Sequence, residues 1–399
     1  MDDIRINLNE LLLSFSLLLD VAENRPFQHA KRVAYIALQV INKLEKKELL
    51  DLTFQAAILH DIGVTHSILL HGHEEFHKAE TIFAASHTST GYEIVKELPF
   101  GNNIAEIIRY HHERWDGMGP ERLQGNGIPY IAQIIALADH IELKYDRRKD
   151  SISYRDEFRS WLQAEKGKAF NGDLVDVVLT LFEQEKLWLD LSVYDISPLL
   201  MPLIPDQSVY INIDELEQIA KAFAVIIDKK SAFTHRHSLM VSQRAFQMAE
   251  EFGYGDIKCR KMKIAGYLHD IGKLIVPNSI LDKPDKLTKD EMLAIKKHPY
   301  YSKFILRQIK GFEEISEWGP NHHENLLGTG YPEGLSGEAF TEESQIMAIC
   351  DIYQALTENR IYRTGMPPHE AVKILSKLVD KGYYERYIFD RFLKTNCLL

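Results

Sequence analysis

Five polar positions recur in the same order in each half of this 399-residue chain. In the first half they are His29, His60, His87, His111 and Asp139, separated by 31, 27, 24 and 28 residues. In the second they are His237, His269, His298, His322 and Asp351, separated by 32, 29, 24 and 29. A carboxylate follows the second histidine in each half (ILHDIG from Ile58, YLHDIG from Tyr267), and a further imidazole follows the fourth (HHERWDGMG from His111, HHENLLGTG from His322). Each set offers imidazole nitrogens and carboxylate oxygens and no thiolate. Such donors suit iron, manganese, nickel or zinc at a working site rather than a thiolate-rich structural zinc. Six or seven ligands exceed what one tetrahedral ion can use and match two ions bridged by a carboxylate. A lone buried histidine is more often a satisfied core residue than a ligand. The ordered set, present twice, is what points to metal.

These residues need helices to hold them. In HAKRVAYIALQVINKL the apolar positions Val33, Ile36, Ala37, Val40, Ile41 and Leu44 follow helical spacing, with His29 one turn before Val33 on the inward face. His237 precedes Val241 in the same way. QAAILHD and KIAGYLHD read as helices stopped by Gly63 and Gly272. YIAQIIALADHI and SQIMAICDIYQAL are apolar nearly all round, as buried helices are, so Asp139 and Asp351 sit where an unpaired carboxylate is costly. His322 and His323 are expected at a helix end, with the following Gly/Pro turn shaping the floor beside them.

Strand signals are poor, so the fold class is all-α, as two tandem helical bundles. INLNELLLSF (from Ile6) is echoed by INIDELEQIA (from Ile211), and HAKRVA by HSLMVS. The proline-punctuated stretch SPLLMPLIPDQS marks a linker. The expected division is 1–195, a linker at 196–208, and 209–399. Both halves close on similar helical tails, KAFNGDLVDVVLTLF and ERYIFDRFLKTN. His71, His73 and His77 in HGHEEFH read as part of a solvated loop.

Composition narrows the partners. The 47 basic and 58 acidic residues give a net charge of −11, which argues against a nucleic-acid polymer or an anionic membrane as the main partner. A phosphate ligand then needs a local cluster of cations or metals. Cys259, Cys350 and Cys397 form no CxxC pair and suit a reducing cytoplasm. The run Leu11 to Leu19 is too short to span a bilayer.

HDIGKLIVPNSILDKPDKLT, KKHP, HHENLLGTGYPEGLSGE and CDIYQALTENRIYR resemble the HD-GYP phosphodiesterases, a subgroup of the HD phosphohydrolase superfamily, from about Ile211 to Leu399. The resemblance implies an all-helical fold, a two- or three-metal site and hydrolysis of a cyclic dinucleotide, cyclic di-GMP or the hybrid 3′,3′-cyclic GMP-AMP. It puts the metal ligands at His237, His269, Asp270, His298, His322, His323 and Asp351, with Asp270 as the bridge. Trinuclear members carry a glutamate four residues before the first histidine. Phe233 stands there, so two divalent transition ions per site are expected, iron or manganese first and nickel or zinc also compatible.

Beside them, Asp270 and Lys273 are the expected catalytic groups. Lys273, Tyr331, Arg360 and Arg363 are the expected substrate contacts. The first half resembles the same signature, with His29, His60, Asp61, His87, His111, His112 and Asp139 as a second metal site. Val64 replaces the lysine there, Pro120 the tyrosine and Ser151 the partner of Arg363, while Arg148 stands at the place of Arg360. That half is expected to bind metal and to be regulatory or weakly active. Competing functions are another HD-type nucleotide phosphohydrolase, which would leave the GYP loop unexplained, and a non-catalytic metal-bound nucleotide sensor. A homodimer is compatible with all of them.

Overall fold

The computed structural model describes residues 5–22, 28–64, 80–147, 151–204, 209–230, 236–283, 285–359 and 364–395. These residues are almost wholly helical, as the apolar periodicity requires. The positions expected at His71, His73, His77, Arg148, Phe233, Arg360 and Arg363 lie outside the described residues.

The helices that carry the polar set in the first half are α1 (Leu8–Ala22), α2 (His29–Lys43), α3 (Leu50–Leu59), α4 (Glu80–Lys96), α5 (Ala105–Tyr110) and α6 (Tyr130–Lys144). Their counterparts are α7 (Ile213–Lys230), α8 (His237–Glu251), α9 (Asp256–Leu268), α10 (Lys289–Leu306) and α11 (Glu342–Thr357). His29 and His237 each open a helix, and Asp139 and Asp351 lie inside the buried helices α6 and α11. The tails are helical too, at Gly172–Phe182 and Arg386–Phe392.

The chain divides into two compact units, Phe15–Val209 and Met1–Ser14 with Tyr210–Leu399. The first unit therefore starts later than the expected range 1–195. The reason is a strand pair that the sequence shows only as an echo. Ile6 pairs with Ile211 and Asn7 with Tyr210 in an antiparallel ladder, the sole sheet among the described residues. Ile6, Leu8, Leu11 and Leu12 are buried, so this segment belongs to the core.

In the Phe15–Val209 unit, Trp188 packs among Tyr145, Phe158 and Phe182, with ring centroids 4.8–6.2 Å apart. In the other unit Tyr353 meets Phe392 at 5.1 Å. The entry to α8 is fixed by a buried carboxylate. Asp228 accepts from the Ser238 backbone N–H at 3.0 Å and from its hydroxyl at 2.7 Å, which satisfies an orphan donor at the turn that presents His237.

Two glycines serve a purpose different from the expected helix stop. α3 and α9 end at Leu59 and Leu268, before Gly63 and Gly272 are reached, and neither glycine has a positive φ. Instead each is a point of close approach. A Cβ on Gly63 would lie 2.1 Å from the His87 carbonyl oxygen, and one on Gly272 would lie 2.0 Å from that of His298. The absence of a side chain lets the HD turn touch the helix that delivers the third histidine.

Candidate metal centres

In the Tyr210–Leu399 unit the seven expected ligands converge. Three overlapping groups form, each with ligand atoms within 4.8 Å of one another: His237, His269 and Asp351; His269, Asp270 and His322; and His298, His322 and His323. Asp270 stands between the two ends of the site. Its Oδ2 lies 3.1 Å from His269 Nε2 and 4.0 Å from His237 Nε2, while its Oδ1 lies 3.1 Å from His298 Nε2 and 3.6 Å from His322 Nε2. One carboxylate thus turns an oxygen to each cluster, the arrangement a bridging ligand needs. Asp351 Oδ1 lies 3.0 Å from His237 Nε2 and 3.8 Å from His269 Nε2.

The other unit repeats the plan. Asp61 Oδ2 faces His29 and His60 at 3.8 and 3.5 Å, and Oδ1 faces His87 and His111 at 3.4 and 3.7 Å. Asp61, His87, His111 and His112 form one group and His29, His60 and Asp61 another. Asp139 joins through Oδ1, which is 3.2 Å from His29 Nε2 and 3.9 Å from His60 Nε2.

The backbone orients the rings. The Nδ1 atoms of His60, His111, His269, His298 and His322 lie 2.7–2.8 Å from the carbonyls of Ala57, Ile108, Gly266, Ile295 and Gly319, each three residues earlier. An Nδ1–H that donates there leaves the Nε2 lone pair pointing into the cluster. Burial pushes His60 down to about 4 and His323 to about 3, and holds His112, His298 and His322 below the ordinary imidazole value. These rings are neutral at pH 7, the form that ligates.

His237 differs. Burial alone would lower it, but hydrogen bonds with Asp351 and Glu358 outweigh that and raise it to about 9. Burial raises Asp270, and the His269 and Lys273 charges more than reverse this, so it stays ionised.

The residues fit metal. His60 Nε2, His111 Nε2 and His269 Nε2 are buried and make no directed hydrogen bond among the described residues, a cost that a folded core avoids unless something else satisfies the atom. Nitrogen and oxygen donors on both sides of a shared carboxylate are what a pair of divalent transition ions takes.

The groups around the ligands differ between the units. Lys273 pairs with the carboxylate of Asp270. Its counterpart Val64 is fully buried and apolar, so Asp61 has no ammonium from that position. Tyr331 stacks on His323, with centroids 4.7 Å apart and planes at 29°, whereas Pro120 offers no aromatic ring. Ser151 opens the helix Ser151–Glu165.

Two contributors were not anticipated. Glu324, directly after the histidine pair, is fully buried and accepts from the backbone N–H groups of Glu333, Gly334 and Leu335 at 2.7, 3.1 and 3.0 Å. It staples the GYP loop to the ligand pair. Gly330 passes so close that a Cβ would lie 2.5 Å from Glu324 Cα. Glu113 does the same with Glu121 and Leu123 N–H at 2.6 and 2.7 Å. A glutamate after HH in both copies was the available signal. Glu358 is the second, with Oε2 3.2 Å from His237 Nδ1. It holds the His237 ring from the side away from Asp351, the position that carboxylates take behind metal-binding histidines.

Glu324→Ala would strand three loop donors, at about 1 kcal/mol each. Amide exchange at Glu333, Gly334 and Leu335 should accelerate, and kcat/KM should fall roughly tenfold as the loop loosens. Unchanged exchange at these amides would remove Glu324 from this role.

The sequence pattern of the HD domain family matches residues 14–152 and 221–388. The 3′3′-cGAMP-specific phosphodiesterase 1 of Vibrio cholerae serotype O1 is 29% identical over 98% of this chain and 92% of its own length. Phosphodiesterase 3 of the same name and organism is 30% identical over 93% and 90%. A cyclic di-GMP phosphodiesterase of Pseudomonas aeruginosa is 34% identical over 41% of the chain and 39% of its own length. The crystal structure of a V. cholerae cyclic GMP-AMP-specific phosphodiesterase, V-cGAP3, superposes with a TM-score of 0.69 at 27% identity, covering 98% of this chain and 97% of that one. No helix of the described residues is long and apolar enough to cross a membrane.

Proposed function

The chain belongs to the HD domain family, in its HD-GYP branch, and on that premise we propose that it is a metal-dependent phosphodiesterase of cyclic dinucleotides that prefers 3′,3′-cyclic GMP-AMP. The preference is supported by coverage. The relatives that match along nearly the whole chain are named for that hybrid dinucleotide, while those named for cyclic di-GMP match about two fifths of it.

The C-terminal unit carries the reaction. The observation that supports this most directly is that the full ligand set there stands beside Lys273, paired to the bridging Asp270, and Tyr331, stacked on His323. His237, His269, Asp270 and Asp351 would hold one ion and Asp270, His298, His322 and His323 the other. When bound, a pair of divalent ions supplies Lewis acidity that makes water a nucleophile at neutral pH and offsets phosphoryl charge.

The chain's own groups do the rest. Asp270 and Asp351 supply the anionic charge that draws cations into a buried site. Lys273, half-buried beside Asp270, can turn its ammonium to a non-bridging phosphate oxygen. Tyr331 offers a flat face to a base, and the Glu324 staple keeps that face in register with His323. The other unit keeps the ligands and lacks the lysine and the ring, so we read it as a metal-holding, regulatory half.

The test is turnover by anaerobically purified, iron- or manganese-loaded protein offered 3′,3′-cyclic GMP-AMP, cyclic di-GMP and a mononucleotide panel, with products resolved by chromatography. The hybrid dinucleotide should be opened at least about tenfold more efficiently than cyclic di-GMP, a difference of one or two hydrogen bonds at a base edge. Equal or faster cleavage of cyclic di-GMP would reject the preference. Binding with no turnover of either would favour a sensor, and faster phosphate release from mononucleotides another phosphohydrolase. Metal analysis should find about two ions per unit.

A further inference from the structure

We infer that Lys296 is a substrate-binding residue of the C-terminal site, holding the phosphate of the cyclic dinucleotide that is not being cleaved; this rests on the function proposed above. Lys296 lies on α10 two residues before His298. Its Nζ is 4.7 Å from the centroid of the Tyr331 ring, and that ring stacks in turn on His323. The exposed ammonium and the His323 imidazole thus both contact the Tyr331 ring.

Two other lysines near the site have carboxylate partners. Lys273 is engaged with Asp270, and the buried Lys303 lies 2.8 Å from both Glu317 and Glu333. Lys296 is exposed, and no carboxylate pairs with its ammonium among the described residues. The ring face attracts the cation and limits where it can wander.

A cyclic dinucleotide carries two phosphodiester charges in one ring. With one phosphate against the metal ligands, the other needs a partner of opposite sign at the rim, and an ammonium seated on Tyr331 supplies it. The other half of the chain gives an independent indication. Ala85 stands two residues before His87, and Pro120 stands at the place of Tyr331. Lysine and ring are absent together from the half that keeps the metal ligands and lacks Lys273. That is the pattern of a substrate contact.

The experiment is calorimetric binding of a non-hydrolysable phosphorothioate analogue of 3′,3′-cyclic GMP-AMP to the metal-loaded full chain. Lys296→Ala should weaken it roughly tenfold, the worth of one charge-assisted contact, and Lys296→Arg should weaken it less. Added salt should cost the wild type more affinity than the alanine variant. Hydrolysis of bis(p-nitrophenyl) phosphate, which has a single phosphate, should stay within about twofold, and metal content should not change. Unchanged affinity in Lys296→Ala, or equal losses on the dinucleotide and the single-phosphate substrate, would overturn the assignment. If the wild type fails to bind the analogue, the proposed function falls with it. If the wild type binds and cleaves cyclic dinucleotide and Lys296→Ala matches it, the assignment of Lys296 alone falls.

Discussion

Asp270→Ala should lower turnover by at least about 10³-fold and strip metal from the C-terminal unit, because one side chain serves both clusters. Its two oxygens divide the site, Oδ2 toward His237 and His269 and Oδ1 toward His298 and His322. Deleting them removes the shared ligand and the negative charge that would offset the mutual repulsion of two cations held close together. Asp270→Asn tests the charge separately, since it keeps the shape and loses the anion. The matching change Asp61→Ala should remove metal from the other unit and leave kcat within about threefold, since that half lacks the lysine and the ring. Kinetics and metal analysis on the two variants side by side give the decision. Equal loss of activity from both would mean that the roles of the halves are wrongly assigned here.

Gly272→Ala should be nearly as damaging without touching a ligand. The new Cβ would fall 2.0 Å from the His298 carbonyl oxygen and 2.8 Å from Ser302 N, both backbone atoms of α10 that cannot swing aside. The Gly272 N–H also donates to Ser302 Oγ at 2.9 Å, so the same shift breaks a buried hydrogen bond. Overpacking of this kind costs about 3 kcal/mol, a fall in melting temperature on the order of 10 °C for a unit of this size. It also drives His298 away from Asp270 Oδ1, now 3.1 Å distant, and a displacement of about 1 Å can cost roughly 100-fold in rate. Thermal melts and single-turnover kinetics measure the two effects separately. A variant that melts like the wild type would show that the HD turn and α10 have slack.

The helices that bear the ligands were legible because each writes its own period. Val33 to Leu44 repeat every three or four residues, and α2 runs from His29 to Lys43. The convergence of His237, His269, Asp270, His298, His322, His323 and Asp351 was legible through the doubled order of the set. What the sequence hid depends on partners far along the chain. Gly272 meets His298 across 26 residues, and Glu358 meets His237 across 121. No local pattern announces either contact. Glu324 reads as one more acid until three backbone donors are seen to end on it. The strand pair escaped for another reason, since two residues are too few to show an alternation.

That small ladder has a practical meaning for anyone who wishes to study the halves apart. The polypeptide begins in one unit at Ile6–Asn7, leaves to build the whole of the other, and returns at Tyr210–Ile211 to lie against its own beginning. A single scission near residue 209 would therefore deliver the downstream fragment without its first strand, with Ile211 deprived of a neighbour and the site of Ile6 beside Gly311 open to water. Clean separation calls for excising 15–209 and splicing the opening residues back on.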